Sequence, residues 1–240
     1  MTDQSAQEHS RPPPGQSADR IGYFTDAVFA IAMTLLVIEI PRPGGSDFEP
    51  GPGGSKSVAF SHLWHFLWGQ RAAFYAYLLA FFVLWIVWRQ HHALLDQIDH
   101  VSPAMVAWHF PLLLLAAFQP YAATVIGHYP FNPMSAVLYG GSVLLLLLCR
   151  SAVQTQAYRD GVLLASTDRR LFRADLTASW LVCGYWALSL SLVWWSPWIL
   201  IAWFPTSAVG SGARWLTLRR VREAEQAERP GHRDDDAPAA

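Results

Sequence analysis

Charged residues are scarce in this chain of 240 residues. Only 15% of its residues are Asp, Glu, Lys or Arg and 52% are hydrophobic, whereas about 25% are charged in typical soluble domains. The formal net charge of −1 gives no electrostatic support for binding to nucleic acid. The two cysteines, Cys149 and Cys183, lie in or beside apolar stretches. A disulfide framework is therefore not indicated, and both are expected to be small buried side chains.

The sequence also lacks the motifs of common enzymes. It has no G-x-S-x-G element, no P-loop and no glycine-rich dinucleotide fingerprint, and it lacks the T-V-G-Y-G selectivity filter. The tandem His91-His92 is not accompanied by further ligands at metal-binding spacing. We therefore expect no enzyme activity, no cofactor and no metal, with hydrogen bonding as the role of these histidines. The alternative is a membrane-embedded enzyme or redox protein that uses them.

Six long apolar segments are what the sequence has instead. A bilayer core of about 30 Å requires roughly 20 mostly apolar residues per helix. The segments are 21–40, 72–88, 105–126, 134–153, 176–195 and 198–218. They predict an all-α polytopic membrane protein with six transmembrane helices. Residues 58–68 are predicted to form either an interfacial helix or an early start of the second span. Residues 154–173 are predicted to form an Arg-rich cytoplasmic linker, able to lie along the headgroups as an amphipathic helix.

The distribution of basic residues predicts the orientation of these helices. If both termini are cytoplasmic, only Arg42, Lys56 and Arg71 of the seventeen basic residues lie outside. The other fourteen then lie on the cytoplasmic side, as the positive-inside rule requires. An even number of spans agrees with this arrangement, and we expect a multi-pass protein of the plasma or inner membrane.

The first apolar helix contains a carboxylate, Asp26, that hydrocarbon does not tolerate without a partner or water. A projection at about 100° per residue places an apolar stripe on one face and Asp26 on another. The stripe consists of Phe24, Ile31, Leu35 and Ile38, with Thr34 at its edge. Either the stripe lines a narrow pore while Asp26 ties the helix to its neighbours, or it is an ordinary lipid or helix contact and Asp26 pairs with Arg20 or a histidine.

The same helix resembles a known family. Arg20 followed by Phe24-Thr25-Asp26 is similar to the R-x-x-x-F-S-D signature of prokaryotic relatives of the endosomal/lysosomal potassium channel, transmembrane protein 175. The resemblance covers roughly residues 20–150. It continues through Tyr77 to Trp88 with His91-His92, Trp108 with the Pro120 region, and Leu138-Tyr139-Gly140. Thr25 replaces the signature serine, which keeps a hydroxyl but adds a methyl group.

The resemblance implies a homotetramer in which four first helices line a cation pore. Ile31 would form the apolar constriction, Thr34 or Leu35 the next layer and Ile38 a further apolar ring. The hydroxyl of Thr34 would be tied to potassium preference. Arg20, Phe24, Thr25, Asp26 and a second-helix histidine, His91 or His92, would form a network behind the pore.

These observations together predict a potassium-permeable, modestly selective cation channel of bacterial type with a hydrophobic gate. Glu39 would form an acidic outer mouth that concentrates cations, or would only mark where the helix meets water. The expected partners are permeant K+ ions, the lipid bilayer and three further copies of the chain. The channel domain is expected at 20–218, between a disordered cytoplasmic tail at 1–19 and a disordered, charged C-terminal tail at 219–240. The alternative is a proton-coupled transporter that uses Asp26.

Overall fold

The computed structural model describes residues 18–45, 48–51, 53–194, 203, 210, 212 and 214–219, and this part of the chain is helical without a β-strand. Its long helices are α1 (Ala18–Ile38), α2 (Lys56–Gly69), α3 (Arg71–Leu95), α4 (Pro103–His128), α5 (Pro133–Asp160) and α6 (Arg169–Ser191). The prediction of an all-α chain is thereby confirmed. The predicted segment 198–218 lies largely outside the described residues.

Four of these helices, α1, α3, α4 and α5, are long and apolar enough to cross a membrane. They correspond to the first four predicted spans, and α6 overlaps the fifth. Residues 58–68 belong to α2, a helix of its own, because the backbone leaves helical geometry at Gln70 (φ −93°, ψ 10°) before α3 begins.

Polar side chains at the helix starts fix the boundaries of α4, α5 and α6. Ser102 Oγ accepts a hydrogen bond from the Met105 amide at 3.2 Å, and Pro103 follows it as the first helical residue. Asn132 Oδ1 accepts from the Met134 amide at 2.9 Å, again before a proline. Such caps satisfy amides that have no partner within the helix.

The predicted linker at 154–173 is wrong. α5 continues to Asp160 and ends at Gly161, whose left-handed φ of 69° stops the helix. The helix continues because Val153, Gln154 and Ala157 are buried against the neighbouring helices. This stabilisation by tertiary packing is not visible in the polar composition of the segment. The true connection, 161–168, is short and is held to the α3–α4 loop by the Asp99 amide, which donates to the Val162 carbonyl at 2.9 Å.

The core of the bundle lies where α5 packs against α4 and α6. Tyr139, Trp186 and Trp203 are fully buried there, and the Trp186 and Trp203 rings stack with centroids 5.0 Å apart. Trp203 Nε1 also donates to Ser189 Oγ at 2.8 Å, which fixes the position of the indole. α1 lies on the other side of the bundle, packed against α3 and α4.

Candidate functional site

The two faces of α1 differ in their contacts. One face is buried against the bundle through Gly22, Thr25, Phe29, Ala32 and Leu36. Their spacing of three and four residues keeps them on one side of an α-helix. The opposite side of α1 is largely exposed, while Asp26 and Met33 at its margins are partly buried.

The predicted pore residues lie on the uncovered side of α1. The exposed fractions are 63% for Phe24, 58% for Ile31, 42% for Leu35 and 56% for Ile38. Thr34 is exposed beside them, and its hydroxyl donates to the Ile31 carbonyl at 2.8 Å. Since that bond uses the only hydroxyl proton, the oxygen lone pairs remain available to a ligand.

Asp26 is directed to α3 rather than along this stripe. Its Oδ1 accepts a hydrogen bond from Trp88 Nε1 at 2.7 Å, and His92 Nδ1 lies 3.5 Å from the same oxygen. The Asp26 side chain is 34% exposed. The carboxylate thus has both a neutral donor and a titratable neighbour, which is how a charged group is accommodated in an apolar helix.

The two tandem histidines have different partners. His92 lies beside Asp26, whereas His91 is buried and its Nε2 is 3.1 Å from His109 Nε2 on α4. His109 Nδ1 lies 2.7 Å from the Met105 carbonyl. Because only a protonated nitrogen can bond to a carbonyl, His109 carries its proton on Nδ1, and His91 Nε2 donates to His109 Nε2 when both rings are neutral.

The other members of the predicted network are not joined to Asp26 by the described contacts. Arg20 is exposed and forms no ion pair among the described residues. The Thr25 hydroxyl is buried without a hydrogen-bond partner in the same part of the chain. Phe24 belongs to the exposed stripe.

Sequence reasoning missed Trp88 and His109. Trp88 precedes His92 by four residues, so both side chains fall on one face of α3; that spacing was the available signal for a shared carboxylate partner. No local pattern marked His109, which lies on a different helix from His91.

Glu39 follows the end of α1 and is exposed. Thr124 Oγ1 on α4 lies 2.8 Å from Glu39 Oε2 and 2.9 Å from the Pro120 carbonyl. Its one proton is shared between these two acceptors, and the contact places the Glu39 carboxylate next to α4. No group of three or more His, Cys, Asp or Glu side chains suited to a metal occurs among the described residues.

Comparisons with known proteins find similarity to potassium channels. The model of the family described as endosomal/lysosomal potassium channel TMEM175 matches residues 20–120. A protein of Streptomyces collinus named a potassium channel is 33% identical over 110 residues, which are 46% of this chain and 48% of that protein. A potassium channel of Chamaesiphon minutus is 29% identical over 161 residues, covering 65% of this chain and 74% of the relative. This chain thus spans about half the length of the Streptomyces relative and three quarters of the second.

A solved structure has the same fold. The crystal structure of a lysosomal potassium-selective channel TMEM175 homologue from Chamaesiphon minutus superposes with a TM-score of 0.64. The alignment covers 84% of this chain and 97% of that chain at 24% sequence identity. At this identity the likeness establishes the fold.

Proposed function

We propose that this chain, which matches the TMEM175 family model over residues 20–120, is a potassium-permeable cation channel of modest selectivity. The family is one of ion channels rather than enzymes, and the chain is a multi-pass membrane protein. The observation that carries the proposal is the uncovered apolar stripe of α1, opposite a face that is firmly packed.

The pore is formed by four copies of α1 around a common axis. A single protomer leaves Ile31 and Ile38 more than half exposed, and a fourfold assembly gives these side chains partners. Rings of isoleucine then expel water from a narrow pore and gate it by wetting. Thr34 lies between the two rings, and its lone pairs replace part of the hydration shell of the ion. Because hydroxyls and apolar rings replace a carbonyl cage, discrimination against Na+ is weak.

The contact of Asp26 with α3 has a positioning role in this mechanism. It holds α1 so that the stripe faces away from its own bundle, and it supports a pore built from a helix with few other polar contacts. Glu39 biases the outer mouth toward cations through its charge. Six spans with both termini cytoplasmic complete the proposed subunit, with α6 and the segment 198–218 as the last two, in the plasma or inner membrane.

Flux measurements on the purified protein in liposomes test this function. Wild type is expected to conduct K+ faster than Na+, and Ile31→Asn should raise both fluxes because a polar ring stays wet. Val37→Asn is the matched control: Val37 is 53% exposed on α1 but lies about 120° from Ile31. No flux from either wild type or Ile31→Asn, in a verified tetramer, would remove the pore assignment.

A proton-coupled transporter is the second candidate, favoured by the proximity of Asp26 to the titratable His92. Asp26→Asn separates the two functions. In a transporter this variant abolishes transport while assembly is retained, because the proton carrier is lost. In a channel it leaves residual K+ flux in whatever fraction of protein assembles, so assembly by size-exclusion chromatography and flux are measured on the same sample.

A further inference from the structure

A partly open cavity of about 160 Å³ lies between α3, α5 and α6, with Gly210 and Arg214 at its edge. None of the stripe residues of α1 lines it. Its walls combine apolar side chains, including Leu147 and Phe172, with a concentration of polar ones. The polar lining consists of Gln90, Gln97, Arg150, Ser151, Gln154, Asp175, Ser179 and Arg214.

The charge at the centre of this lining is Arg150. The residue is only 6% exposed. One terminal nitrogen donates to Ser179 Oγ at 2.9 Å, but its Nε is buried without a hydrogen-bond partner among the described residues. A buried guanidinium with an unused donor is unfavourable unless an anion accompanies it.

The nearest carboxylate in the cavity is already engaged. Asp175 Oδ1 pairs with Arg214 Nε at 2.8 Å, at the more exposed edge of the cavity. Arg150 forms no ion pair in the described part of the chain. Asp175 faces both arginines, so two cations and one carboxylate among the described lining residues leave the cavity with one positive charge in excess.

We propose that this cavity binds a phosphate group, either of a free phosphate compound or of an anionic lipid headgroup. A guanidinium presents several donors in a plane that matches phosphate oxygens, and Ser151, Gln90 and Gln154 line the same cavity. One water needs about 10–15 Å³ of such volume, so the space admits a polyatomic anion rather than only a few waters. The apolar walls receive the uncharged part of the ligand.

The binding test uses the full-length protein in detergent micelles and its thermal unfolding midpoint at constant ionic strength. The probes are inorganic phosphate and dispersed phosphatidylglycerol, with phosphatidylcholine as the zwitterionic reference. At least one of the two anionic probes should raise the midpoint, and Arg150→Gln should weaken its apparent affinity by about tenfold, since a charge-assisted bond is lost. Arg159→Gln, an exposed arginine of α5 outside the cavity, is the matched control and should bind as wild type does.

Asp175→Asn gives an independent test with the opposite sign. Removing the carboxylate releases Arg214 and raises the positive charge of the cavity, so binding should tighten severalfold. A response to both anionic probes identifies the phosphate group itself as the ligand, and a response to phosphatidylglycerol alone identifies the headgroup.

Three results would overturn the proposal: no response of wild type to either anionic probe, equal weakening by Arg159→Gln and Arg150→Gln, or no tightening in Asp175→Asn. The last of these decides the question if Arg150→Gln does not fold. Binding is read without any ion flux, so the outcome is independent of the channel assignment.

Discussion

α1 and α5 are both apolar enough to cross a membrane, yet they are used in opposite ways. In the most apolar stretch of α1, 22% of the residues are buried within the protomer, against 61% in α5. α5 contacts α4 on one side and α6 on another, while α1 contacts α3 and α4 through one face. Hydropathy alone does not distinguish these two environments.

The difference in burial between α1 and α5 indicates which helix has a surface available for contacts between subunits. In hydrocarbon an apolar side chain gains little by leaving lipid for protein, so helix contacts depend on close packing and on polar pairs. α5 obtains its stability from packing over much of its circumference. α1 depends on a few buried side chains and on one carboxylate, and its exposed side is available to lipid, to other subunits or to a pore.

The largest expected effect contrasts the two faces of α1. Phe29 is fully buried and Phe24 is 63% exposed. Phe29→Ala should lower the free energy of unfolding by about 3 kcal/mol. This is the lower end of the range for a buried phenylalanine, because moving an apolar side chain between protein and lipid changes the free energy little. Phe24→Ala should change it by less than about 0.5 kcal/mol. Denaturation in mild detergent measures both, and equal losses would contradict the two-faced description of α1.

A smaller effect is expected from removing the hydrogen bond between Trp88 on α3 and Asp26 on α1. Trp88→Phe keeps most of the ring but removes the donor to Asp26, and should destabilise the protein by about 2 kcal/mol, the range for a bond to a charged group. Trp85→Phe is the control, since Trp85 lies one turn away on α3 without a hydrogen bond in the described part of the chain. If the two variants melt alike, Asp26 does not anchor α1.

The smallest effect tests the close packing of α5. A Cβ on Gly140 would lie 2.7 Å from the Trp203 ring, whereas one on Gly141 would meet nothing within 4 Å. Gly140→Ala should therefore lower the free energy of unfolding by about 1–2 kcal/mol, since the buried indole of Trp203 has to move. Gly141→Ala should be neutral or slightly stabilising because alanine favours the helix. Reversal of this order in thermal melts would show that Trp203 is not fixed against α5.

The sequence predicted the first four spans because their apolar runs are long and are bounded by prolines or polar caps. The start of α4 at Ser102-Pro103 was recognisable from the capping chemistry alone. The end of α5 was not, because Gln154, Thr155 and Gln156 have no apolar signature, and only burial against neighbouring helices keeps that part helical.

The site was predictable in part. The stripe of α1 followed from helical periodicity, and Asp26 stood out as a carboxylate in an apolar run. Which of the two histidines lies near Asp26 depends on how α3 is rotated in the bundle, and that is decided by packing between helices. The burial of Val83 and Val87 with His91 on one face of α3 turns His92 toward α1, a pattern visible only once the buried face is known.

The adjacent histidines of α3 have a mechanical consequence. Consecutive residues on a helix project about 100° apart, so one turn of α3 contacts Asp26 of α1 through His92 and His109 of α4 through His91. A rotation of α3 about its axis would change both distances together. The same turn of α3 therefore sets its alignment against α1 and against α4.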